Sequence, residues 1–163
     1  RELANIALMT NQTVKMFGMQ AIMAMVSYAN FGSSKDAHAT KVRDAVSLVH
    51  KLAPDVLVDG ELQTDFALNR KMREAKFPFS KLKDKRVNTL IYPNLDSANS
   101  TYKLIKELSG EDSIGPIMMG LQKPAHVIQL GASVEEMVNM AAVAIVDAQD
   151  KQKRIQTKLN LMQ

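Results

Sequence analysis

Leu3, Ile6, Val14 and Phe17, with Thr10 among them, fall on one face of a helix at the start of the chain, and Gly18 can end that helix in a left-handed conformation. The pattern then changes. Residues 21–26 are apolar at consecutive positions, as in a short strand buried on both faces, and such strands belong to parallel sheets covered on both sides. After a polar loop over 27–35, a helix is expected over 36–52, with Val42, Val46 and Val49 at helical spacing, Asp36 placed to cap it and Pro54 closing it. Val56 to Val58 has the pattern of a second buried strand ending at Asp59-Gly60, and a charged helix is expected over 61–76.

A third strand is expected over 87–92, stopped by Pro93, and then a helix over 96–108 through Ala98, Ile105 and Leu108. Gly110 ends it. The Gly/Pro-punctuated stretch 114–131 is expected to hold two short strands. Ser133 and Glu136 form an S-x-x-E capping box ahead of a helix carrying Val134, Val138, Ala141, Ile145 and Ala148 on one side. Ala141, Ala142 and Ala144 would let another element approach closely, and residues 147–158 are highly polar. Strand and helix alternate, so the fold class is α/β, a three-layer α/β/α arrangement around a mainly parallel sheet. Ligands of such folds lie beyond the strand C-termini, which directs attention to the loops at Ser27, Asp59, Pro93 and Gly120.

Composition narrows the class. The 163 residues suffice for one domain, and 46% hydrophobic with 23% charged residues is a globular balance. With no cysteine there is neither a disulfide framework nor a thiolate metal site, and a reducing, cytoplasmic setting fits. The longest apolar run is far shorter than a membrane helix needs, so no membrane partner is expected. A net charge of +4 suits an anionic ligand and equally a solvated surface, and is too small a surplus for a nucleic-acid footprint. Because the first helix begins at the first residues, Arg1 rather than Met, the chain is expected to be a piece of a larger protein.

Several segments carry candidate chemistry. Ser27, Asn30, Gly32 and Ser33, between a strand and a helix, offer amides and hydroxyls to an anion, although Gly and Ser in such loops more often serve turns and caps. Asp59-Gly60-Glu61 sets two carboxylates at a strand end, where acid–base chemistry is often built, although Asp-Gly is more often an ordinary turn and Glu61 suits a first helical turn. His38, His50 and His126 lie apart with no metal-ligand spacing. Lys81, Lys83, Lys85 and Arg86 could meet phosphates, but Asp84 interrupts them and a solvated loop is favoured. No G-x-G-x-x-G is present for a nicotinamide cofactor.

Six segments in order extend these observations: 27–33 (SYANFGS), 59–63 (DGELQ), 93–99 (PNLDSAN), Tyr102-Lys103, 114–117 (IGPI), and Gly120-Leu121 with Lys123-Pro124. Together they resemble the motif series of the phosphate acetyl/butyryltransferases, or phosphotransacetylases. The family's domain has two α/β subdomains, and this chain resembles the second over residues 1–132, followed over 133–163 by the closing helix that would pack toward the first. The resemblance implies ligand contacts at Ser27, Asn30, Gly32, Ser33, Asn94, Asn99, Gly115, Pro116 and Gln129. It also implies a homo-oligomer that dimerises through this domain.

The departures from the family pattern bear on activity. Free-standing transacetylases carry Ser-Arg where this chain has Gln129 and Leu130, and the acidic position falls on Glu136. An arginine stabilising developing charge is worth about 10² to 10³ in rate, and leucine cannot substitute. No catalytic residue is therefore assigned. Gln129-Leu130-Gly131 and Asn30-Phe31 resemble instead the branch appended to hybrid malic enzymes. That resemblance implies a regulatory module that binds acetyl-CoA and controls a malic enzyme domain, with NADP and a divalent metal confined to that other domain. An active acetyltransferase rebuilt around Glu136 and an oligomerisation scaffold are the alternatives.

Overall fold

The computed structural model describes residues 1–110 and 112–161. Three strands, β1 (Ile22–Val26), β2 (Leu57–Leu62) and β3 (Thr89–Ile91), form a parallel sheet in the order β2-β1-β3. The helices are α1 (Glu2–Met16), α2 (Ala37–Leu52), α3 (Thr64–Leu68), α4 (Arg70–Lys76), α5 (Leu95–Ser109) and α6 (Val134–Asn160). β1 is central and buried on both faces, which is why it is apolar at consecutive positions. Met23 and Met25 point into one core with Val58, Ile91, the α1 residues Leu3, Ala4 and Ala7, and Val42, Val46 and Val49 of α2. Ala24 points the other way, into a core with Leu62, Ala67, Leu82 and Val87. This two-residue alternation makes the three layers. Each large apolar side chain so buried contributes about 1.5–3 kcal/mol.

The second layer hangs on Arg73. Its side chain is fully buried, and it donates from Nε to Leu82 O at 2.9 Å, from Nη1 to Phe66 O at 2.7 Å and Ala67 O at 2.6 Å, and from Nη2 to Lys85 O at 2.5 Å. One planar guanidinium thereby satisfies carbonyls of α3 and of the irregular 77–87 stretch, a task its rigid fork suits. Burial pushes its pKa down from the ordinary arginine value.

Several expectations are corrected. β2 does not end at Asp59-Gly60 but continues to Leu62, with a bulge opposite Met25 and Val26 that leaves Glu61 unpaired in the ladder. Gly60 sits at φ 146°, and a Cβ there would meet Met25 O at 2.5 Å, so only glycine fits. The helix expected over 61–76 is two short helices, because Asn69 ends α3 and its side chain caps α4 by accepting from Met72 N–H. No strand occurs over 112–132, whose Gly/Pro punctuation yields irregular backbone. On α1 the buried face is Leu3, Ala4, Ala7 and Asn11, while Ile6 and Phe17 are exposed. The small alanines allow the close approach of α2 that larger side chains would block.

The capping box at the start of α6 is present in full: Ser133 Oγ accepts from Glu136 N–H at 3.1 Å, and Glu136 Oε2 accepts from Ser133 N–H at 2.7 Å. The face it buries is the opposite of the expected one. Met140, Val143 and Asp147 are buried, whereas Val134 is 77% and Val138 62% exposed, with Ile145 also in solvent. On α5 no residue is buried.

Candidate functional site

Two groups of candidate residues sit at different places. The first is the loop after β1, fastened to the end of β2. Ser27 N–H donates to Leu62 O and Phe31 N–H to Glu61 O, both at 2.9 Å. Asn30 and Gln63 are paired twice: Asn30 Nδ2 donates to Gln63 Oε1 at 2.7 Å, and Gln63 N–H donates to Asn30 Oδ1 at 2.8 Å. Ser33 Oγ accepts from Asn30 N–H at 3.0 Å. The amide of Gly32, at φ 87°, is taken by Glu61 Oε1 at 2.7 Å. The side chain of Asn30 and the amide of Gly32 are thus engaged in building the loop.

Asp59 and Glu61 are likewise engaged. Glu61 is fully buried; its Oε2 accepts from Arg43 Nε at 3.2 Å, and Arg43 Nη2 donates to Ser34 O at 2.8 Å. Asp59 is 7% exposed and accepts from Ser80 Oγ at 2.7 Å and Lys81 N–H at 2.8 Å. Both carboxylates are turned into the protein, each holding a loop to the sheet end. Phe31, with its own φ at 40°, stands edge-on to Phe77 and Phe79, each 5.0 Å away, and locks the loop against the 77–80 turn.

The second group lines a cavity of about 320 Å³ between α5, the 113–115 and 127–132 segments and the first turns of α6. Here the structure brings together Gly115, Gln129, Leu130 and Glu136, and adds Lys103 and Lys106 from α5 and Asn139 from α6. Glu136 Oε1 lies 3.8 Å from Lys106 Nζ. The Ser133 amide hydrogen bond, helped by Lys106, holds the Glu136 carboxyl below its usual range, so it stands as a fixed anion rather than a proton donor. Leu130 is fully solvent-exposed at the cavity edge. The cavity is lined by Lys103, by Lys106 beside the Glu136 carboxylate and by the Gln129 amide, and it presents no guanidinium.

The remaining candidates lie elsewhere. Asn94 caps α5 by accepting from Ser97 N–H at 2.9 Å, Asn99 is exposed on α5, and Pro116 follows Gly115 without lining the cavity. Among the described residues no three His, Cys, Asp or Glu side chains cluster as metal ligands, and no helix is long and apolar enough to cross a membrane. Lys106 and Asn139 were not singled out from the sequence, although 103 and 106 on α5, and 136 and 139 on α6, have the three-residue spacing that sets side chains on one helical face. Arg43 was also missed; its partner, Glu61, reads as a surface helix residue until the bulge is seen.

The family model described as phosphate acetyl/butaryl transferase matches residues 1–145. An NADP-dependent malic enzyme of Salmonella typhimurium is 42% identical over 91% of this chain and 20% of its own length. A phosphate acetyltransferase of Thermoanaerobacterium thermosaccharolyticum is 39% identical over 91% of this chain and 45% of its own. A solved phosphotransacetylase from Streptococcus pyogenes superposes with a TM-score of 0.86 at 37% identity, covering 91% of this chain and 45% of that one. The chain therefore spans about a fifth of the malic enzyme and under half of the two transacetylases.

Proposed function

The chain belongs to the phosphate acetyl/butaryl transferase family, and from that premise we propose that it is a catalytically impaired regulatory module, binding acetyl-CoA and controlling a malic enzyme domain of a longer protein. The observation that carries this reading is the wall of the Gln129 cavity. Where the family resemblance places Ser-Arg, the cavity has a neutral amide and an aliphatic side chain, and Glu136 is tied up as a helix cap. Lys103 and Lys106 remain to attract an anionic ligand without the guanidinium that would stabilise developing charge. NADP and a divalent metal belong to the other domain in this reading.

Control of the longer protein requires acetyl-CoA to favour one of its states, typically by about 1–3 kcal/mol. The outer face of α6 would then be covered by the first α/β subdomain, and copies would pair through this domain. The test is malate-dependent NADP reduction by the full-length protein with and without saturating acetyl-CoA, run beside a phosphate-dependent acetyl phosphate assay. A changed malate rate with no acetyl phosphate is expected. An unchanged malate rate contradicts the regulatory role, and rapid acetyl phosphate formation contradicts the impairment. In the double variant Gln129→Ser/Leu130→Arg, acetyl transfer is expected to rise about 10²-fold.

A further inference from the structure

A second cavity, of about 290 Å³, lies between α1, α6 and the 117–122 segment with His126. The buried face of α6 places Met140 at one cavity and Asp147 at the other, about 10 Å apart along the helix. The irregular backbone over 112–133 runs past both: residues 117–122 and His126 line the second, and residues 127–132 line the first. A stretch of this length has no ladder of its own to hold it in place.

His126 supplies a buried polar anchor in it. Its side chain is 2% exposed, and Nδ1 accepts from Met118 N–H at 3.4 Å, which leaves the proton of the neutral ring on Nε2. Nε2 lies 3.3 Å from Asp147 Oδ2, close enough for an electrostatic contact but without the alignment of a hydrogen bond. Asp147 is itself held by Lys151 Nζ at 2.7 Å, and Arg154 pairs with Asp150 at 2.7 Å beside it. From α1 the cavity receives Met9, Gln12, Thr13 and Met16, none of them titratable.

We propose that His126 and Asp147 are positioning residues that hold residues 127–132 against α6 and so set the shape of the Gln129 cavity; the role deepens the acetyl-CoA reading and rests on it for the ligand. The contact acts through the backbone, because His126 directly precedes the wall that carries Gln129 and Leu130. The test uses the full-length protein, with hydrogen exchange of residues 127–132 in the free state and calorimetric titration of acetyl-CoA. In His126→Ala and Asp147→Ala, exchange is expected to quicken and affinity to fall, each about tenfold. His126→Gln keeps an N–H toward Asp147, and Asp147→Asn keeps an acceptor; both should return exchange and affinity to within about threefold of wild type. Unchanged exchange in the alanine variants, or glutamine behaving as alanine does, overturns the clamp. If wild type binds no acetyl-CoA, the regulatory reading fails, and the exchange result alone then decides whether the clamp exists.

Discussion

α2 and α6 carry the same kind of apolar stripe and the same kind of side-chain cap, yet they meet opposite fates. Asp36 caps α2 by accepting from His38 N–H at 2.8 Å, and Val42, Val46 and Val49 are buried against the sheet. Ser133 caps α6 equally well, and Val134, Val138 and Ile145 stand in water. Periodicity states that a helix has an apolar face; it does not state what covers that face. For α2 the cover lies within this chain. For α6 the chain covers only the face with Met140, Val143 and Asp147, and the stripe that periodicity marks stays in solvent.

The same contrast separates the two regions of the molecule. Up to Ile91 the sheet, α1 and α2 share a dense core, and buried polar groups such as Arg73 and Glu61 are hydrogen-bonded. From Leu95 on, α5 buries nothing, and Leu104, Ile105 and Leu108 are exposed. The candidate cavity is built in the second region, where packing is sparse.

Substitutions should therefore cost very different amounts in the two regions. Arg73→Leu leaves buried carbonyls of α3 and the 82–85 turn without donors and is expected to destabilise by about 4 kcal/mol, measured by urea unfolding. Gly60→Ala forces a Cβ onto Met25 O at a φ few side chains adopt, with an expected loss of at least about 2 kcal/mol. Val49→Ala should cost about 2 kcal/mol, whereas Val138→Ala in this chain should stay within about 0.5 kcal/mol. Equal costs for those two valines would break the comparison.

Smaller effects probe the α6 cap. Ser133→Ala is expected to cost about 1 kcal/mol, read as lost helicity on heating. Because the Glu136 carboxyl titrates below its ordinary value in the folded chain, its contribution is present above the unfolded pKa and is lost as pH falls through the folded one. Glu136→Gln should flatten that acid limb.

Much of the fold was legible because its determinants are local. The consecutive apolar residues of β1, the Asp36 cap, the left-handed stops at Gly18 and Gly110 and the Ser133–Glu136 box all act within a few residues. The extension of β2 was not legible. Asp59 and Glu61 carry the composition of a surface turn, and their burial depends on Ser80, Arg43 and Gly32, which lie far off in sequence. The site divides in the same way. Gly115, Gln129 and Glu136 could be named through the family resemblance, while Asn30 and Gly32, named on the same ground, use their polar groups to hold their own loop. Lys106 joins the cavity because α5 and α6 meet there, a tertiary fact that neither helix pattern contains.

Calorimetric titration of acetyl-CoA into the full-length protein tests the central claim most directly. Saturable binding with no acetyl transfer to phosphate is the predicted result; no binding at millimolar acetyl-CoA would contradict the regulatory account and leave the domain as an assembly element.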